Sequence, residues 1–149
     1  MAKGSAEAYQ FKTKKAATPK AVFHKAKDLT VDPEAGPLLV LGQPAGSKEE
    51  WRTAQALNIM QWQYAYQYPV FGGRSRRGGQ VIDFLVYTPG RYTIVDVRGS
   101  YWHTGKHNDA LDIERVARRK NWILVILWDY DCKSVSEALT FLRSHLPHG

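Results

Sequence analysis

Residues 80–103 read QVIDFLVYTPGRYTIVDVRGSYWH, and the fold turns on how this stretch is parsed. Two apolar runs, Val81 to Tyr87 and Tyr92 to Val97, are separated by Thr88-Pro89-Gly90-Arg91. Proline presets φ at the second position of a turn and glycine accepts the positive φ of the third, so an antiparallel hairpin is predicted. Asp83 and Asp96 interrupt runs that otherwise ask for burial. An ionised carboxylate there needs a cation, a metal or several hydrogen-bond donors to offset its desolvation. Two such acids on neighbouring strands point to a metal site.

Working outward, the 149 residues suit one domain with a real core, and 44% hydrophobic with 23% charged residues describes a globular chain. No apolar run approaches the ~20 residues of a membrane span, and the N-terminal lysines lack the apolar core of a signal peptide. A cytoplasmic protein without a membrane partner is expected. The single cysteine, Cys132, fits a reducing compartment and reads as a small buried hydrophobe at a strand end.

The net charge of +7 is unevenly distributed. Residues 1–27 carry seven lysines, Lys12, Lys14 and Lys15 among them, against the single acid Glu7. The remaining 14 basic and 13 acidic residues nearly cancel. Residues 1–46 therefore read as a basic arm, poorly ordered or extended. Such an arm either tracks phosphates by counterion release or is a solvated tail. Within it, Pro37 to Leu41 is a short apolar run, an edge strand or a staple onto the core, and Gly42 to Gly46 is a linker.

From Ser47 the pattern changes. Ser47-Lys48-Glu49-Glu50 has the form of a capping box, which starts a helix at Lys48 with Trp51, Ala54, Leu57 and Met60 toward the sheet. Glu50 is either the returning acid of that box or an acid beside the metal. A strand is predicted near Tyr64 to Tyr68 from its aromatic density. Arg74, Arg76 and Arg77 then lie between two glycine pairs, Gly72-Gly73 and Gly78-Gly79, ahead of the Asp83 strand. This is a phosphate clamp or an exposed, charged loop. A helix over about 108–120 places Ala110, Ile113, Val116 and Ala117 on one face, with Asp109 and Asp112 at its edge. Asp112 either reaches a histidine or metal or pairs with Arg115 or Arg119. Trp122 to Trp128 reads as a central strand covered on both faces and joined to its predecessor by a right-handed crossover. Ser134-Val135-Ser136-Glu137 opens a last helix whose buried stripe is Ala138, Phe141, Leu142 and His145.

An Asp on one strand followed by Asp96-Val97-Arg98 on the next resembles the PD-(D/E)xK nuclease superfamily, with Ile82 at the proline position and Arg98 at the lysine position. Gly99-Ser100-Tyr101-Trp102-His103, a helix with acids and arginines, and Asn121 to Trp128 resemble the very-short-patch mismatch-repair endonucleases over residues 47–132. The order of helix, three-stranded meander, helix, parallel strand and helix is similar to the restriction-endonuclease-like α/β core, here over residues 47–149. The resemblance implies a magnesium- or manganese-dependent DNA endonuclease. Its alternative is a catalytically silent nuclease-fold protein that binds nucleic acid or a nucleoprotein assembly through the basic arm.

The two resemblances assign roles differently. In both, Asp83 is a metal ligand. In the PD-(D/E)xK register Asp96 is the second acid; the relatives also place an acid, here Glu50, on the first helix beside the metal. In the short-patch register Val97 offers its backbone carbonyl to the metal, His103 is the catalytic imidazole, and Asp112 orients its other nitrogen. Arg98 stays protonated and cannot serve as a base, but it can stabilise a pentavalent phosphate. The zinc-binding cysteines and histidines of the short-patch relatives have no counterpart, so no structural zinc is expected.

Overall fold

A computed structural model describes residues 32–100 and 107–147, with side chains from residue 112 onward in the second range. The chain falls into two compact units, Met1–Pro37 and Leu38–Gly149. Of the first, the described residues form a turn in which Asp32 Oδ1 accepts from the Glu34 amide at 2.9 Å.

The second unit is mixed α/β. Its elements in order are β1 (Leu39–Val40), β2 (Gln43–Pro44), α1 (Lys48–Ile59), β3 (Tyr64–Val70), β4 (Gln80–Val86), β5 (Thr93–Arg98), α2 (His107–Lys120), β6 (Ile123–Trp128) and α3 (Val135–His145). Four strands form one sheet in the order β3-β4-β5-β6, antiparallel except for the parallel pair β5-β6. Strands β1 and β2 pair separately, and Val40 enters the core at 2% exposure. The packed unit thus begins at Leu38, ahead of the boundary drawn at Gly46.

The predicted hairpin is present. Phe84, Leu85 and Val86 face Val95, Ile94 and Thr93, and Gly90 has φ 82° in the connecting turn. Thr88 Oγ1 donates to the Arg91 carbonyl and lies 2.8 Å from Thr93 Oγ1, so the buried polar atoms of this turn satisfy one another.

One sheet face is covered by α1 and α3 and the other by α2. Ala54, Ala56 and Leu57 of α1 and Ala138 and Leu142 of α3 join Tyr66, Phe84, Val86, Val95, Val125 and Leu127 in one apolar cluster. Ile113, Val116 and Ala117 of α2 join Val70, Ile82, Leu85 and Ile94 in the other. Serines cap two helices as expected: Ser47 Oγ accepts from the Glu50 amide and Ser134 Oγ from the Glu137 amide, each at 3.1 Å.

Two expectations are corrected. Strand β6 is not central but lies at the sheet edge. Its apolar run reflects helices over both faces, which cover an edge strand as readily as an internal one. His145 does not belong to the buried stripe of α3. It is exposed, its ring stacked on Phe141 at 3.9 Å, and Leu146 supplies the last buried contact. Cys132 is buried as expected, its Sγ 3.3 Å from the Trp128 carbonyl, and burial pushes its thiol up to about 12.

Candidate functional site

The ladder between β4 and β5 stops at Phe84 and Val95, although β4 begins four residues earlier and β5 continues for three more. Continued pairing would set Asp83 directly opposite Asp96. Like charges in that position oppose pairing. Instead Asp83 Oδ2 accepts from the Val97 amide at 2.9 Å, so a side chain takes the place of a strand partner. A residue in an extended strand points its N–H and C=O toward the same neighbour, so the Val97 carbonyl opens into the same gap.

The regular pattern of β4 and of its neighbour β3 is interrupted here. Ile82 packs with Leu85 on the α2 face, whereas Phe84 and Val86 pack on the α1–α3 face. On β3, Gln67 drops out of the ladder between Tyr66 and Tyr68 and has φ 57°. A non-glycine residue in left-handed conformation is strained and persists only where its surroundings hold it. Gln67 is held by its side chain, whose Nε2 donates to Glu50 Oε1 at 3.3 Å.

Glu50 reaches this gap from the first turn of α1. Its amide is capped by Ser47, but the carboxylate turns toward the sheet, where Oε1 accepts from the Tyr66 hydroxyl as well as from Gln67. Tyr66 in turn accepts from the Gly46 amide at 2.9 Å. Burial and the bond to Glu50 push the Tyr66 hydroxyl up to about 12, so it stays a donor. A Cβ at Gly46 would lie 3.0 Å from Glu50 Oε1, so the carboxylate would have to give by a few tenths of an ångström to admit one.

Asp83, Asp96 and Glu50 therefore converge. Burial, then the Asp96 and Glu50 carboxylates, raise the Asp83 carboxyl well above its ordinary value of 3.8, against the opposing pull of the Val97 amide. Asp96 is buried and accepts from Arg98 Nε at 2.6 Å. Arg98 Nη2 is buried and has no hydrogen-bond partner among the described residues. Hard carboxylate oxygens crowded against one another, with a backbone carbonyl beside them, suit a divalent cation such as magnesium. Asp83, Asp96 and the Val97 carbonyl would hold it. The side chains alone are not pre-arranged: among the described residues no three of His, Cys, Asp and Glu form a ready metal-holding group.

His103 lies outside the described residues, as do Lys12, Lys14 and Lys15. Asp112 pairs with Arg115 at 2.6 Å and accepts from Gln80 Nε2 at 3.2 Å. Arg74, Arg76 and Arg77 are exposed on a loop that includes a 3-10 turn at Gly73–Ser75. Gly79 closes this loop against the Gly73 carbonyl, where a Cβ would lie 1.9 Å from the oxygen. Sequence reasoning missed Tyr66, Gln67 and Asp129. Asp129 Oδ2, just beyond β6, accepts from both the amide and the hydroxyl of Ser100 at 3.1 Å and so ties down the chain leaving β5. The Asp-Tyr-Asp run after Trp128 was the available signal for the last of these; for Gln67 there was none.

Among the described residues no helix is long and apolar enough to cross a membrane. Comparison with protein-family models, with curated proteins and with solved structures returns no match.

Proposed function

We propose that this chain is a metal-dependent endonuclease that hydrolyses DNA phosphodiester bonds on a restriction-endonuclease-like core. The observation that carries the reading is the convergence of Asp83, Asp96 and Glu50, from two strands and a helix, at the place where β4 and β5 part. A protein with no use for these acids gains nothing from holding Asp83 where burial and two like charges oppose its ionisation.

Magnesium or manganese, when bound, supplies positive charge on the scissile phosphate and lowers the pKa of a water. The residues do the rest. Asp83 and Asp96 bind the cation, with Asp83 kept in place by the Val97 amide. Glu50, aimed by Tyr66 and Gln67, orients the attacking water. Arg98 is pinned to Asp96 through Nε, and its protonated guanidinium adds positive charge beside the phosphate as negative charge builds there. A protonated guanidinium takes no proton, so the proton of the attacking water goes to a carboxylate or, in the short-patch register, to His103.

The test is cleavage of single-stranded, double-stranded and mismatched DNA with magnesium or manganese, by parent and variants. Asp83→Asn keeps side-chain shape and removes charge, so it should abolish nicking while DNA binding persists. Loss with Asp96→Asn but not with His103→Ala selects the first register, and the reverse selects the second. A parent protein that cuts none of these substrates overturns the enzyme reading.

Arg98 in place of lysine favours a second reading, a nuclease-like fold that binds nucleic acid without cutting it. Its basic arm then supplies the affinity, and deletion of residues 1–27 should weaken binding and flatten the dependence of log K on log salt. An unchanged salt slope contradicts it.

A further inference from the structure

On the α2 side of the sheet, aromatic and cationic side chains form a continuous strip. Tyr87 and Tyr92 flank the β4–β5 turn with ring centroids 5.1 Å apart in an edge-on arrangement. Tyr92 is 6.2 Å from Trp122. The Lys120 ammonium lies between two rings, 5.6 Å from the centre of Trp122 and 5.2 Å from that of Phe71, and the Arg119 guanidinium sits 4.5 Å from the Phe71 centre. Phe71 leads directly into the loop of exposed arginines, Arg74, Arg76 and Arg77. At the turn end, exposed Arg91 is fixed by its Nε to the Asn121 carbonyl at 3.0 Å.

Folding alone does not explain this surface. Tyr87 and Tyr92 remain 39% and 43% exposed, so each offers part of a ring to solvent. The charged members of the strip are all positive, so it attracts a polyanion. A polyanion that also offers flat, unpaired π-faces meets both features at once: bases stack on the tyrosines while phosphates meet the lysine and arginines. In a duplex the base faces are occupied by their neighbours, and the rings would have nothing to stack on.

We propose that the strip from Tyr87 through Tyr92, Trp122 and Lys120 to Phe71 and Arg119 binds single-stranded nucleic acid and leads it toward the arginine loop. The site goes beyond the nuclease reading and does not need cleavage to exist. A cutting protein would use it to favour substrates with unpaired segments, and a silent one would use it for binding alone.

The experiment is fluorescence anisotropy of a labelled oligothymidylate, and of a duplex of equal length, titrated with the full chain in EDTA so that no divalent cation is present. Tyr92→Ala should weaken single-strand binding about tenfold and leave duplex binding within about twofold, whereas Tyr92→Phe should bind like the parent. Lys120→Gln should reduce the slope of log K against log salt for the single strand by about 0.7. Unchanged single-strand affinity in Tyr92→Ala, or an equal loss for the duplex, overturns the proposal. So does parent self-association that Tyr92→Ala abolishes, because the strip would then be an interface between copies. Should circular dichroism show Tyr92→Ala unfolded, Lys120→Gln at the exposed helix end decides, and an unchanged slope counts against the site. Because cation-free binding is read separately from cleavage, failure here and failure of the nuclease reading are distinct results.

Discussion

The two ends of the β4–β5 hairpin are built from the same kind of sequence and resolve their buried polar groups in opposite ways. At the closed end, Thr88 and Thr93 bond to each other and Thr88 also to the Arg91 carbonyl, beside a glycine with the φ its turn demands. At the open end the strands separate, the charges of Asp96 and Glu50 bear on Asp83, Gln67 adopts a left-handed backbone and, among the described residues, Arg98 Nη2 has no hydrogen-bond partner. One end is complete within the protein. In the proposed reading, a cation between the acids and a phosphate beside the arginine complete the other.

That contrast can be broken by mutation, and the largest effect should come from the residue where the two ends meet. Phe84 is fully buried, pairs with Val95 at the last ladder position and contacts the rings of Tyr64 and Tyr66. Phe84→Ala should cost on the order of 3–5 kcal/mol in urea unfolding. A midpoint equal to the parent's would mean that the hairpin does not organise the core.

Tyr66→Phe probes the open end. It removes a donor from the Glu50 carboxylate and an acceptor from the Gly46 amide, and should cost about 1.5–3 kcal/mol. If Tyr66 also aims Glu50, turnover should fall in this variant while DNA affinity holds, and an unaltered cleavage rate would make the bond merely structural. Thr93→Val probes the closed end, where Thr88 retains the Arg91 carbonyl as acceptor. Its cost should be about 1 kcal/mol, with no change in any response to divalent cations. A cation response altered by this variant would show that the two ends are not independent.

The pH dependence should separate the ends further. The Asp83 carboxyl is raised in the folded chain above its ordinary 3.8, first by burial and then by Asp96 and Glu50. As pH rises from that ordinary value toward the raised one, the unfolded chain releases its proton while the folded chain keeps it. Without metal, stability should therefore fall with rising pH over this window. Thr93→Val should leave that slope in place and Asp83→Asn should flatten it. Thermal melts at a series of pH values, in EDTA, read this directly, and an undiminished slope in Asp83→Asn would assign the effect to other groups.

Much of the closed end was legible in the sequence because local rules decide it. Thr-Pro-Gly-Arg specifies a turn, the apolar runs on either side of it specify the strands, and Ser-x-x-Glu specifies where α1 and α3 begin. The open end was legible only as two acids in apolar runs. Its arrangement depends on residues far apart in the chain: Glu50 uses its amide for the cap and its carboxylate for Tyr66, a division that a local capping rule does not anticipate. The left-handed Gln67 leaves no mark in composition, since neither glycine nor asparagine stands there. Strand β6 was misplaced at the centre of the sheet because periodicity reports how many faces are covered and not how many strands lie alongside.

The central claim is that the open end is a divalent-cation site, and the direct measurement is the melting temperature of parent and Asp83→Asn titrated with magnesium and with manganese. Binding to the folded state alone raises stability with cation concentration. The parent should melt progressively higher as either cation is added, while Asp83→Asn, relieved of like-charge crowding, should start higher in EDTA and respond to neither. A parent that is indifferent to both cations, or an Asp83→Asn variant that follows the same curve as the parent, would contradict the account.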